Sequence, residues 1–273
     1  MMLLIWSLGL TILNFAPSQY SNHQIAPPSV AKEARSTHAP ISVISFNVGR
    51  FNRQYGEVSK LLAKEPADII FLQEVTSPLK LAVELRMRNL IPAYDIVTDK
   101  TTGLVLLSRF KVETTNRLPG VLTRYQISHP LSSITLWNVH VPRSIWSTRG
   151  QEKVITNLID DIKRHSGPKI IAGDFNLTPY NDALRQLSRN TTNFATTTIP
   201  PFTYPTPKRA AGLAGPWVQI DHIIVSNHFQ SKDRKRLENY AGSDHYPISA
   251  QLRFFGNAYT GLGKGEGGST GEG

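Results

Sequence analysis

Short apolar runs that end on an acid, an amide or a histidine constrain this chain more than any other feature of its sequence. The clearest is Lys169-Ile-Ile-Ala-Gly-Asp174-Phe-Asn176. Residues i and i+2 of a strand share a face, so Asp174 and Asn176 point together just past a buried core. The form recurs with Asn47 after Val43-Ile-Ser-Phe46, Glu74 after Ile69-Ile-Phe-Leu72, and His140 after Leu136-Trp-Asn-Val139. Asp221 and His222 follow Val218-Gln-Ile220, and Asp244-His245 follow Gly242-Ser243. Singly, each has a structural explanation as a strand terminator, an Asx-turn or a satisfied core histidine. Together they imply a polar site where strands end, the place at which α/β sheets collect ligands.

The segments between these runs set the fold class. Strands are expected at Ile41 to Asn47, Asp68 to Glu74, Gly103 to Ser108, Ser133 to Val141, Ile170 to Ala172, Ile220 to Ser226 and Ile248 to Phe254. Helices are expected at Tyr55 to Lys64, about Pro78 to Asn89, and Thr148 to Arg164, the last with Val154, Leu158, Ile159 and Ile162 on one face. Strands alternating with amphipathic helices indicate an α/β architecture.

Composition bounds the chemistry. The 273 residues, 40% of them hydrophobic and 18% charged, suffice for one large domain with a substantial core. There is no cysteine, which removes disulfides, thiolate metal sites and a cysteine nucleophile. Lys and Arg number 30 against 20 Asp and Glu, a net charge of +10, which favours polyanions such as nucleic acid or anionic lipid. The densest basic run, Lys232-Asp-Arg234-Lys235-Arg236, reads as a solvated loop, and Lys208-Arg209 as a smaller patch of the same kind.

Both ends differ from the middle. Residues 1–16 are expected to be an apolar membrane or export segment: Met1 to Asn22 lacks any Asp, Glu, Lys, Arg or His, while the apolar stretch falls short of the roughly 20 residues that span a bilayer. A membrane-associated or exported protein is expected, of unsettled topology. Residues 17–40, with Pro17, Pro27, Pro28 and Pro40, read as a linker, and 256–273 as a flexible Gly-rich tail. The catalytic domain is expected over 41–255.

The gathered carboxylates and amides are hard oxygen donors suited to Mg²⁺ or Mn²⁺, whereas zinc would want closely spaced nitrogen or sulfur ligands. A divalent cation beside histidine and carboxylate fits hydrolysis of a phosphate ester.

Phe46-Asn47-Val48, Leu72-Gln73-Glu74, Asn138-Val-His140, Gly173-Asp174-Phe-Asn176, Ile220-Asp221-His222 and Ser243-Asp244-His245, with Gly103 to Arg109 as a Gly-x-x-x-x-Ser-Arg strand, resemble the endonuclease/exonuclease/phosphatase superfamily in order and spacing. The superfamily includes deoxyribonuclease I, AP endonucleases, sphingomyelinases and inositol polyphosphate 5-phosphatases, and the resemblance covers about residues 41 to 254. It implies a four-layer α/β sandwich of two mixed sheets flanked by helices. It also implies Glu74 as principal metal ligand with Asn47 and Asp244, and Asp174 with Asn176 positioning water and steadying the phosphate. His245, oriented by Asp221, would be base or phosphate contact, and His140 leaving-group acid or phosphate contact. AP endonucleases resemble the His140 segment but carry tyrosine there, which argues against a dedicated abasic-site enzyme. The segment from His165 to Asn176 resembles bacterial membrane-linked members.

Arg143 is a candidate phosphate contact, while Trp137 and Trp217 read as packing rather than base-stacking platforms. The favoured function is a monomeric DNA or RNA nuclease. The alternatives are a phospholipid or sphingomyelin-type phosphodiesterase or phosphatase, and a non-catalytic binding module. The lipid alternative ranks second because no exposed apolar run is legible inside residues 41 to 254, and the binding module third because the catalytic set is complete.

Overall fold

The computed structural model describes residues 39–143, 149–191, 202–208 and 218–255, all within one compact unit spanning Ala34–Gly273. The apolar segment 1–16, nearly all of the linker and the Gly-rich tail lie outside the described residues, as does Trp217. None of the described helices is long and apolar enough to cross a membrane.

Six strands form one sheet in the order β10-β11-β1-β2-β4-β3. They are β1 (Ile41–Asn47), β2 (Ile69–Gln73), β3 (Asp95–Asp99), β4 (Leu104–Ser108), β10 (Phe229–Arg236) and β11 (Ile248–Phe254). The second sheet, β5-β6-β7-β8-β9, comprises β5 (Lys111–Leu118), β6 (Leu122–His129), β7 (Ser132–His140), β8 (Lys169–Asp174) and β9 (Asp221–Val225). Each sheet is mixed and has one parallel pair at its heart, β1 with β2 and β7 with β8. Helices α1 (Tyr55–Lys64) and α2 (Pro78–Met87) cover the first sheet, while α3 (Arg149–Lys163) and α4 (Asp182–Thr191) accompany the second.

Three apolar clusters hold the four layers together. Side chains such as Val43, Phe71, Leu136, Ile170 and Leu252 fill the space between the sheets. Ile44, Phe46, Ile70 and Leu72 face the other way, onto Val58, Leu61 and Leu62 of α1 and Leu81 and Leu85 of α2. Trp137, Val139 and Ile171 face Ile155, Leu158 and Ile162 of α3 and Leu184 and Leu187 of α4. Trp137 is fully buried and its indole N–H donates to Asp161 Oδ2 at 2.9 Å, so it packs as expected.

Two local readings are corrected. The basic run 232–236 is not a loop but the end of edge strand β10, paired with β11 through a bulge between Lys232 and Lys235. Charge on an edge strand discourages further strand pairing, which is why the run lacks an apolar strand signature. Asp221 and His222 do not follow a strand; they begin β9, which runs antiparallel to β8 and so starts where β8 ends. Strands β3 and β5 carry mostly exposed or half-exposed side chains, too few buried positions for an apolar run.

Candidate active site

Alternation carries polar groups to one end of the inter-sheet core. The inward-facing rows read Ile41, Val43, Ser45, Asn47 on β1; Ile69, Phe71, Gln73 on β2; Ile134, Leu136, Asn138, His140 on β7; and Ile170, Ala172, Asp174 on β8. Each row is apolar at its start and polar at its finish, and the parallel pairs finish together. Gln73 and Asn138 close the gap between the sheets, the Gln73 amide donating to Asn138 Oδ1 at 2.8 Å. Asn138 in turn donates to the carbonyls of Leu72 and Val105, both at 3.1 Å. In this buried polar bridge Gln73 is in register with Asn47, and Asn138 lies one inward-facing position beneath the His140–Asp174 pair.

Asp174 is the hub. Its Oδ2 accepts from Asn47 Nδ2 at 2.9 Å and from Asn176 Nδ2 at 3.2 Å, while Oδ1 accepts the Asn176 backbone N–H at 2.9 Å. The last contact is an Asx-turn, as the structural reading of this acid expects. Asn176, at φ 47°, also donates to the Val141 carbonyl at 2.9 Å. The Nε2 atoms of both His245 and His140 approach the same Asp174 Oδ2, at 3.7 and 3.9 Å.

Glu74 leaves the alternation. It follows β2 with φ 56°, an uncommon conformation outside glycine. Its Oε1 lies 3.3 Å from His140 Nε2 and its Oε2 accepts the Arg50 backbone N–H at 2.5 Å. The 243–245 loop is held to β1 by Ser243, whose hydroxyl donates to the Asn47 carbonyl at 2.7 Å and accepts the His245 N–H at 3.0 Å. His245 is thereby placed with Nδ1 3.0 Å from Asp221 Oδ2. The Asp244 carboxylate lies beside Gly49, whose φ is 82°; a methyl group there would sit 3.2 Å from Asp244 Oδ1.

Arg143 lies at the rim and not among the gathered carboxylates. Its Nη1 donates to the Tyr204 hydroxyl at 3.0 Å and its guanidinium stands 5.3 Å from the Tyr204 ring centre. Tyr204 in turn has its ring centre 4.9 Å from that of His245. Tyr204 lies in a Pro-rich stretch that carries no periodic signal, so only the fold brings it to His245.

The electrostatics follow from burial. Burial pushes the Asp174 carboxyl above its ordinary range, opposed chiefly by His245. Burial alone would lower His245, but the carboxylates of Asp221 and Asp174 outweigh it and raise the imidazole well above its ordinary range. Beneath them, the β10 bulge re-aims Arg234 inward, so that its Nη2 donates to the Asp221 carbonyl at 3.4 Å while its buried Nε finds no partner among the described residues. Burial and the neighbouring Arg234 hold His222 down at about 4, its ring bonded through Nε2 to the Leu177 carbonyl at 2.8 Å.

Two donor sets could hold a cation. Asp174, Asp221 and His245 bring one ligand atom each within 4.8 Å of one another, yet His245 Nδ1 is already hydrogen-bonded to Asp221. Glu74, Asn47 and Asp244 form the second set, all hard oxygen donors. Asn47 Oδ1 accepts one hydrogen bond, from Gly49 N–H at 2.9 Å, which leaves it a lone pair. Four carboxylates (Glu74, Asp174, Asp221, Asp244) meet two imidazoles here, an excess of negative charge that fits a divalent cation.

Residues 44–245 match the family model described as Endonuclease/Exonuclease/phosphatase family. Solved structures share the fold at low identity. The endonuclease/exonuclease/phosphatase of Bacteroides vulgatus has a TM-score of 0.65 and 21% identity over 80% of this chain and 100% of that one. D. rerio TDP2 complexed with a single-strand DNA product has a TM-score of 0.62 and 16% identity over 79% and 100%. A mannosyl-6-phosphatase of Bacteroides thetaiotaomicron has a TM-score of 0.60 and 17% identity over 78% and 100%. A search of the curated proteins finds no match.

Proposed function

The chain belongs to the endonuclease/exonuclease/phosphatase family, whose members are phosphoester hydrolases, and from that premise we propose that it is a divalent-metal-dependent phosphodiesterase acting on nucleic acid. The observation that carries the reading is the convergence on Asp174 Oδ2, where His245 stands at 3.7 Å, His140 at 3.9 Å and Asn47 Nδ2 at 2.9 Å. Hydrolysis of a phosphate ester needs a proton taken from water, charge neutralised on the phosphoryl oxygens, and a proton given to the leaving oxygen. The cluster supplies a group for each need around one point.

In this reading Glu74 holds the metal with Asn47 Oδ1 and Asp244. When bound, Mg²⁺ or Mn²⁺ supplies Lewis-acid charge to the phosphoryl group. Asp174, whose burial moves its proton affinity toward neutrality, receives the proton of the attacking water, which Asn176 helps to position. His245 carries its proton at neutral pH, so it acts from Nε2 as a donor to a phosphoryl oxygen rather than as the base, with Asp221 fixing Nδ1. His140 protonates the leaving oxygen, and Arg143 contacts substrate phosphate.

The fold occurs in a protein solved with a DNA product and in a sugar phosphatase, so the residues at the mouth must choose the ester. Nucleic acid is supported by the cationic and aromatic rim of Arg143 over Tyr204, which suits a phosphate beside a flat base, and by the net charge of +10. A second reading, a phospholipid phosphodiesterase, is favoured by exposed apolar side chains on α2.

The test offers plasmid DNA, RNA, sphingomyelin vesicles and a phosphoinositide to the full chain with Mg²⁺ or Mn²⁺. Cleavage of DNA or RNA that disappears with EDTA and with Glu74→Ala is expected. Lipid turnover with intact DNA and RNA would replace the first reading by the second.

A further inference from the structure

We propose that the outer face of α2, together with Phe51, is a docking surface for an anionic phospholipid bilayer. The inference concerns where the enzyme works and stands whichever ester it cuts. Helix α2 is apolar on two opposite faces. At about 100° per residue, Leu81 and Leu85 point into the core, where both are buried, and Leu79, Val83 and Met87 fall on the far side at i, i+4 and i+8. Their exposures are 79%, 50% and 76%. Scattered exposed apolar residues are ordinary, but a row of three along one helix is a patch that soluble proteins normally cover.

The rim of the patch says what covers it. Lys80 and Arg86, both exposed, flank the stripe on either side of the helix. The loop after β1 adds Arg50 and Arg53 around Phe51, the most exposed large apolar side chain among the described residues at 86%. That loop is tied to the start of α2 by Lys80 Nζ donating to the Arg53 carbonyl at 3.4 Å and Thr76 Oγ1 to the Arg50 carbonyl at 3.5 Å. Glu84, the one acid on α2, turns instead toward Gly56 of α1. Apolar side chains ringed by lysine and arginine match a bilayer surface, with acyl chains beneath an anionic headgroup layer. Nucleic acid would use the cations but leave Leu79, Val83, Met87 and Phe51 without a partner. A second copy would set four cations against four.

Residues 41 to 254 show no exposed apolar run in sequence, and the fold nonetheless assembles an exposed apolar patch. The patch is periodic along a helix, so no contiguous stretch of sequence reveals it. Its position gives it a use. Arg50, next to Phe51, donates its backbone N–H to the Glu74 carboxylate, so docking would hold the mouth of the site beside the lipid surface.

The absence of cysteine permits a clean test. Val83→Cys in the full chain carries a single environment-sensitive fluorophore, and Thr156→Cys on the exposed side of α3, in the opposite outer layer, carries the control. With phosphatidylcholine vesicles containing phosphatidylglycerol, the label at 83 is expected to shift to the blue and to become shielded from aqueous iodide, with the label at 156 unchanged. Lys80→Glu with Arg86→Glu should weaken that response about tenfold or more. An unchanged label at 83 while the chain sediments with the vesicles would overturn the proposal, because the chain would then be held elsewhere. So would the same shift produced by DNA, or by raising protein concentration without lipid.

Discussion

Asp221 and His245 meet across the two sheets: Asp221 is the first residue of β9 in one, His245 lies in the loop entering β11 of the other, and Oδ2 stands 3.0 Å from Nδ1. The contact engages Nδ1 and leaves Nε2 toward Asp174, and the Asp221 carboxylate favours the charged ring; in the proposed mechanism Nε2 is the atom that meets the phosphate. Asp221→Asn preserves size while removing the carboxylate charge. Turnover of a soluble phosphodiester should fall by about 10²–10⁴-fold, measured well below the melting temperature, which should itself fall because the buried imidazole loses its counter-charge. Activity within tenfold of the parent would show that the pair is structural only.

The two donor sets make opposite demands on metal binding. If Glu74 holds the cation, Mn²⁺ should raise the melting temperature of the parent by preferential binding to the folded state. Glu74→Gln should abolish that rise and His245→Ala should retain it. Loss of the rise in His245→Ala alone would place the ion at Asp174, Asp221 and His245 instead. The readout is thermal, so it does not depend on finding the substrate.

Much of the site was legible because it is written in strand parity. Asn47, His140 and Asp174 each end an apolar row, and the four-layer sandwich that brings them together was implied by resemblance and is found. Helix α1 lies over Tyr55–Lys64 as its apolar spacing predicts. What escaped were the edge strands β3, β5 and β10, whose side chains largely face water. The interior strand β6 and helix α4 escaped as well, because their few buried apolar residues, Leu122, Tyr125 and Ile127 on one and Leu184 and Leu187 on the other, are interleaved with polar ones. Arg234 escaped for a related reason, since a bulge inside a charged run turns one cation inward while its neighbours stay solvated. Tyr204 reaches His245 only through loop geometry that no local pattern encodes.

Gly173 is where strand β8 tolerates no side chain. It pairs with Val139 across the parallel β7–β8 ladder at φ 151°, and a methyl group there would lie 1.9 Å from the Val139 carbonyl oxygen. That oxygen is backbone, so the strands themselves would have to part beside Asp174 and His140. Gly173→Ala should cost about 3 kcal/mol or more, seen as a melting temperature lower by roughly 6–12 °C or as loss of soluble protein. A melting temperature within 2 °C or so of the parent would mean the ladder yields cheaply.

Acid should weaken the fold through His222. The buried ring binds a proton only near pH 4 in the folded protein, against an ordinary value of 6.5, because burial and Arg234 both resist the charge. A histidine lowered on folding stabilises the native state in full above its unfolded value. That contribution is lost as pH falls from about 6.5 to about 4, where the unfolded chain takes up a proton that the folded chain refuses. The shift corresponds to at most about 3 kcal/mol. Burial raises Asp174 and carboxylates raise His245, and both act in the opposite sense, adding stability as pH falls, so the parent alone cannot isolate the effect. His222→Gln, which keeps a donor for the Leu177 carbonyl and cannot titrate, isolates it. Denaturant titrations of parent and variant between pH 7.5 and pH 4.5, a range set about the ordinary histidine value, should diverge, with the parent losing stability relative to the variant as pH falls. Parallel curves would show that His222 takes its proton as readily in the fold as in the open chain.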